Sequence, residues 1–194
     1  MTPRPYRSPS RDAAAEETRQ RILRAAREIF AAGKRFSLQT VAKRARVTRI
    51  TIYHHFKSKA HLIEAVFDEV AVAGGLSSLP TAMGQQDPRR ALHDVVHIFV
   101  KFWYSHRTVL PRLSAAIVDA DIIKLLEARI ERRRRLLAVL VTRILGAESP
   151  DLTDSLYAMT KAETFETLAT RDRTPEEIEA LVVRAVDAVV DRYI

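Results

Sequence analysis

Val47-Thr48-Arg49-Ile50-Thr51-Ile52-Tyr53-His54-His55-Phe56-Lys57-Ser58-Lys59 is the stretch on which the reading of this chain turns. Thr48 is a helix-capping residue type, and the spacing after it predicts a short helix to about His54. Val47, Ile52 and Phe56 suit a narrow buried face, which leaves Arg49 and Thr51 projecting outward early in the helix. A helix with one packed side and one polar side suits the major groove of duplex DNA. An arginine at such a place can take guanine O6 and N7 together, worth about 1–3 kcal/mol of discrimination. Tyr53, His54 and Lys59 would bring hydroxyl, imidazole and ammonium donors to phosphates, which set position but carry no sequence information.

The neighbouring residues extend the pattern. A first helix is expected from about Glu16 to Ala32, with Ile22, Ala26, Ile29 and Phe30 as its apolar stripe and Gly33 ending it in the left-handed conformation. Ser37 is placed to cap a second helix whose buried face is Leu38, Val41, Ala42 and Ala45. Ser37, Gln39 and Thr40, at its start, could hold the opposite DNA backbone with a helix N-terminus. Ser58 caps a fourth helix that runs to Gly74-Gly75. Short helices separated by turns in this way form a helix-turn-helix head, with residues 37–56 as the motif. Charge agrees with it. Residues 1–60 hold 15 Lys/Arg against 4 Asp/Glu, whereas the remainder holds 17 against 20. One part of the chain is built to meet a polyanion and the other is not. Residues 1–15, rich in Pro, Ser and Arg, read as a flexible basic arm.

These residues resemble the TetR (tetracycline-repressor-like) family of transcriptional regulators over about residues 16–72. The resemblance is carried by Ser37-Leu38-Gln39-Thr40-Val41-Ala42, by Val47-Thr48-Arg49, and by Thr51-Ile52-Tyr53-His54-His55-Phe56 with Ser58-Lys59 and Leu62. It implies an all-helical homodimer, a variable ligand-binding body, and release from an operator when a small molecule binds. Three residues depart from the family's pattern. Arg46 stands where glycine is usual in the turn, Ile50 where a small residue or proline is usual, and Ala60 where an acidic residue is common. Ile50 in that place can meet a thymine methyl, so the expected DNA-contacting set is Ser37, Gln39, Thr40, Thr48, Arg49, Ile50, Thr51, Tyr53, His54 and Lys59.

The rest of the chain reads as a second helical domain. Five glycines in 194 residues and no sustained apolar-polar alternation predict an all-α fold of about nine helices. The head is residues 16–74 and the ligand-binding and dimerisation body residues 75–194. Residues 76–87 read as a connector, and Asp87-Pro88 opens a helix that turns Leu92, Val95, Val96, Phe99, Val100 and Trp103 inward. Further helices are expected at about 108–118, 121–145, 150–170 and 174–193, the last with a Thr174/Glu177 capping box. His97, Val100, Trp103, Leu113, Ile117, Met159, Glu163 and Phe165 are candidates to line an effector pocket, plain core packing being the alternative. The last two helices, about 150–193, suit a two-fold dimer interface: Ile178, Leu181, Val182, Ala185, Val186, Val189, Val190 and Tyr193 form one stripe flanked by Ala180, Ala185 and Ala188, and Ala158, Ala162 and Leu168 of the preceding helix complement it, packing of the stripe on its own body being the alternative.

Composition narrows the function classes. The absence of cysteine excludes disulfides and thiolate metal sites. His93 and His97 are four residues apart, but no further ligands stand at a recognisable spacing, so no metal or cofactor is expected. Arg132 to Arg135 point around the whole helix circumference and read as solvated surface. No apolar run is long enough to span a bilayer, and a cytoplasmic protein without membrane partners is expected. No nucleophile elbow, phosphate-cradling glycine loop or purposeful carboxylate pair is present, which argues against an enzyme. The expected partners are an operator duplex, a second copy of the chain and a small-molecule effector. A DNA-binding factor that senses nothing, or an unrecognised helical enzyme, are the alternatives.

Overall fold

The computed structural model describes residues 9–108, 110 and 120–194, and these are all-helical. Ten α-helices occur among them: α1 (Pro9–Ala31), α2 (Leu38–Ala45), α3 (Arg49–Phe56), α4 (Lys59–Ala73), α5 (Leu79–Met83), α6 (Pro88–His106), α7 (Ala120–Leu145), α8 (Pro150–Met159), α9 (Ala162–Ala169) and α10 (Pro175–Val190). A 3₁₀ turn (Leu76–Ser78) precedes α5. Of these, residues 9–67 and 120–122 belong to one compact unit, and residues 68–108, 110 and 123–194 to a second.

Helix α1 begins at Pro9, well inside the stretch expected to be a flexible arm; residues 1–8 lie outside the described part. Asp12 stands in the first turn, where it favours the positive end of the helix dipole, and Ala13-Ala14-Ala15 have the highest intrinsic helix propensity. Those local preferences outweigh the Pro- and Ser-rich composition. Gly33, at φ 63°, lies just past the end of α1 in the left-handed conformation. The core of the first unit combines Ile22, Leu23, Ala26, Ile29 and Phe30 of α1 with Leu38, Val41 and Ala42 of α2, Ile52 and Phe56 of α3, and Leu62, Ile63 and Val66 of α4. Phe30 stacks on Phe36 with ring centroids 4.4 Å apart, sealing the α1–α2 corner.

In the second unit α6 is the central element. Its buried residues Leu92, Val95, Val96, Phe99 and Val100 pack with Leu137, Leu140 and Val141 of α7, Leu152 and Leu156 of α8, Phe165 of α9 and Ile178, Val182, Val186 and Val190 of α10. Three capping devices start helices where the sequence places them. The Asp87 carboxylate accepts from Arg89 N–H, the Ser149 hydroxyl from Leu152 N–H, and Thr174 and Glu177 form a reciprocal capping box. The Glu176 carboxyl in the first turn of α10 is held below its usual range by its own backbone N–H and by the Thr174 hydroxyl.

Two further elements differ from expectation, and both of these differences are tertiary in origin. Residues 76–83 are helical because Leu76, Leu79 and Met83 pack on the core and Ala82 is buried in it. Arg143 of α7 then donates to the carbonyls of Met83 and Gln85, holding the end of α5. The helix expected over 150–170 is broken at Thr160. That residue is fully buried, and its hydroxyl donates back to Leu156 O at 2.9 Å. Its carbonyl accepts instead from Trp103 Nε1 and Arg133 Nη1, both at 3.1 Å. An oxygen claimed by two tertiary donors no longer needs a helical one. The helix expected at about 108–118 falls almost wholly outside the described residues.

Candidate nucleic-acid interface

Helix α3 is eight residues long and has little intrinsic stability of its own. Its position comes from its two ends and one face. At the start, Thr48 has extended backbone and its hydroxyl accepts from Thr51 N–H at 3.1 Å. The Thr48 and Thr51 hydroxyls lie 2.8 Å apart, so Thr51 is partly engaged in the cap. On the packed face Ile52 and Phe56 are buried, with the Arg19 guanidinium 5.4 Å from the Phe56 ring centre, while Val47 is half-buried. The opposite face is open. Arg49 and His54 are exposed, Tyr53 is 43% exposed, and Ile50 is 69% exposed. An isoleucine that uncovered, at the front of a helix of known packing, is an unpartnered apolar contact point rather than core.

Helix α2 supplies the second set. Ser37 caps it, accepting from Thr40 N–H at 3.1 Å, while Thr40 Oγ1 accepts from Ser37 N–H at 3.1 Å. Gln39 and Thr40 are exposed and Ser37 half-buried. Lys59 opens α4 and is half-buried. Next to it, Ser58 accepts from His61 N–H and sits 2.7 Å from His61 Nδ1. All ten residues singled out as DNA contacts therefore lie on α2, α3 and the entry to α4. None of them belongs to the apolar core, and Ser37, Thr40, Thr48 and Thr51 are also engaged in the helix caps.

The candidate effector residues are dispersed. Val100 and Phe165 belong to the core cluster, and Trp103 and Met159 pack against it. His97 and Glu163 are exposed, and Leu113 and Ile117 lie outside the described residues. His97 Nδ1 sits 2.7 Å from Glu179 Oε2, and His93 Nε2 sits 2.8 Å from Asp187 Oδ1, so each histidine of this pair on α6 is matched to a carboxylate of α10. Among the described residues no three His, Cys, Asp or Glu side chains come together as a metal site. His97 also borders an open depression of about 250 Å³ between the Gly74-Gly75 turn, α5 and α6, with Asp94 and Lys101 beside it.

One side chain of the second unit escaped the sequence reading. Arg133 is half-buried rather than fully solvated: its guanidinium lies 4.3 Å from the Tyr157 ring centre, 5.7 Å from Phe99 and 5.8 Å from Trp103. Its Nε is buried without a hydrogen-bond partner, and burial lowers its pKa from the ordinary arginine value. The signal was present in the register. Arg133 is four, seven and eight residues before Leu137, Leu140 and Val141, which are buried on α7.

Comparison with known proteins follows the same division. Residues 22–66 match the family model described as bacterial regulatory proteins, tetR family. The HTH-type transcriptional regulator SrpR of Pseudomonas putida is 46% identical over 56 residues, which is 28% of this chain and 26% of that protein. TtgW, also of Pseudomonas putida and described as an uncharacterized HTH-type transcriptional regulator, is 45% identical over 56 residues, 28% of this chain and 42% of that one. The matched segment is thus about a quarter of SrpR and less than half of TtgW. Among solved structures, NalD, the secondary repressor of the MexAB-OprM multidrug efflux pump in Pseudomonas aeruginosa, superposes with a TM-score of 0.71 at 21% identity, covering 91% of this chain and 97% of that one. A TetR-like transcriptional regulator from Rhodococcus sp. RHA1 superposes with a TM-score of 0.66 at 19% identity, covering 90% and 94%. Residues 22–66 are therefore similar to the bacterial regulatory proteins of the tetR family, on a chain that has the fold of solved TetR-type regulators.

Proposed function

We propose that this chain is a DNA-binding transcriptional regulator, a repressor that holds a palindromic operator as a homodimer and is released by a small-molecule effector. The observation that carries the reading is α3: capped at Thr48, anchored by Ile52 and Phe56, with Arg49, Ile50, Tyr53 and His54 left open to a groove. Arg49 reads a base edge, Ile50 meets a thymine methyl, and Ser37, Gln39, Thr40, Thr48, Thr51, Tyr53, His54 and Lys59 position the backbone. A single head of this size binds weakly, whereas two related by a two-fold axis read half-sites a helical turn or more apart. The outer side of α8 to α10, where Ala158, Ala180, Ala185 and Ala188 are exposed, supports the dimer surface; the inner stripe of α10 is already spent on its own core. The description of NalD as a repressor supports repression as the mode.

Selection of bound sites from random duplex DNA tests the reading. The expected product is an enriched sequence with dyad symmetry. Recovery of no preferred sequence at physiological salt would refute it.

A further inference from the structure

Three described residues other than glycine have positive φ, and two of them flank the recognition helix. Arg46, the C-cap of α2, is at φ 55°, ψ 47°, and Lys57, the C-cap of α3, is at φ 59°, ψ −41°. The first is the left-handed region that glycine fills without penalty. The second is harsher: Ser58 N–H donates to Phe56 O across Lys57, a γ-turn of the rare, strained hand. Both side chains are exposed cations, and neither makes an ion pair or side-chain hydrogen bond among the described residues. Nothing in the described head rewards a charged side chain at either point. A conformation that glycine would adopt at lower cost, occupied by an unpartnered charge, points outside the protein for its reason.

Their placement says what the outside partner is. Arg46 closes α2 three residues before α3 begins, and Lys57 follows the last residue of α3, so a helix seated in a groove has a cation near each of its ends, where the DNA backbone runs alongside. We propose that Arg46 and Lys57 are a pair of backbone-clamping residues, retained at strained positions because they contact phosphates flanking the groove that α3 enters. This assignment rests on the DNA-binding reading above. It adds two positions to the interface that the motif alone does not mark, and they set depth and orientation rather than sequence choice.

Because phosphate contacts are independent of sequence, a mixed-sequence duplex several turns long serves as the probe. The full-length protein, Arg46→Gly, Lys57→Gly, Arg46→Gln and Lys57→Gln are titrated against it over a range of salt, with thermal unfolding of each measured in parallel. The glycine variants are expected to melt at or above the wild-type temperature, since strain is relieved. The glutamine variants keep the strain and lose only the charge. All four are expected to lose about three- to tenfold in affinity near 0.1 M salt, with a log–log salt slope shallower by about one for each head bound. Asp172→Gly, at the third strained position (φ 53°) between α9 and α10, should not make the slope shallower. Wild-type binding with unchanged affinity and slope in both glutamine variants overturns the assignment and leaves the DNA-binding reading standing. A wild-type protein that binds no duplex overturns that reading, and the assignment with it.

Discussion

Replacing Arg133 by methionine is expected to leave the second unit about as stable as before, whereas replacing it by alanine should weaken it. The magnitude follows from what the guanidinium touches. Moving a cation out of water costs several kcal/mol even after relaxation, and a buried N–H without a partner, here Nε, costs about 1–3 kcal/mol more. In the other direction, the charge-assisted bond to Thr160 O contributes about 1.5–3 kcal/mol. The faces of Tyr157, Phe99 and Trp103 each add roughly 0.5–2 kcal/mol. The two ranges overlap, so the half-buried cation contributes little net stability. Methionine keeps most of the volume between the rings and removes the charge, and Thr160 O retains its bond from Trp103 Nε1. Alanine leaves a void there and should cost about 2–4 kcal/mol. In a chain of 194 residues each 1 kcal/mol moves the melting temperature by about 2–4 °C. Trp103 is the sole tryptophan, so its fluorescence during urea unfolding reports on this site directly. A loss of about 3 kcal/mol or more for Arg133→Met would refute the reasoning, because it would mean the buried charge is strongly favourable in place.

Other perturbations test the remaining links. Thr48→Ala removes the acceptor for Thr51 N–H and should cost about 1 kcal/mol, seen as lower helicity or weaker DNA binding before any change in the second unit. Gly74→Ala drives a methyl into Phe102 Cδ2 and to 2.9 Å from His106 Cε1, so the buried ring must move. The expected cost is about 1–3 kcal/mol by denaturant titration, and a neutral result would show that the packing of Gly74 on α6 is softer than that approach implies. Arg49→Ala should relax preference at one base pair of a selected site, while Lys59→Ala should weaken all sequences alike and flatten the salt dependence. Indistinguishable effects from the two substitutions would contradict the roles assigned to them.

Local chemistry was legible from the chain alone wherever it decided the outcome within a few residues. Ser37, Thr48, Ser58, Asp87, Ser149 and Thr174 each start the helix they were expected to start, because a short side-chain oxygen can satisfy a free N–H two or three residues on. The buried faces of α2 and α3 followed from helical period. The open face of α3 followed from the same register.

What the chain alone did not announce were outcomes that distant residues decide. Residues 76–83 looked like a linker until Arg143 and the α6 core held them as helix, and residues 150–170 looked continuous until Trp103 and Arg133 took the Thr160 carbonyl. Arg133 was read as solvated within a run of four arginines, although one register of that run faces the core. His97 and Glu163 were placed beside apolar pocket candidates but stand on the surface, His97 held by Glu179. The physical division is one of range. Caps and helical periodicity act over one or two turns and are written into neighbouring residues, whereas a carbonyl, a buried charge or a short helix of mixed composition takes its state from partners tens of residues away, which only the folded chain brings within reach.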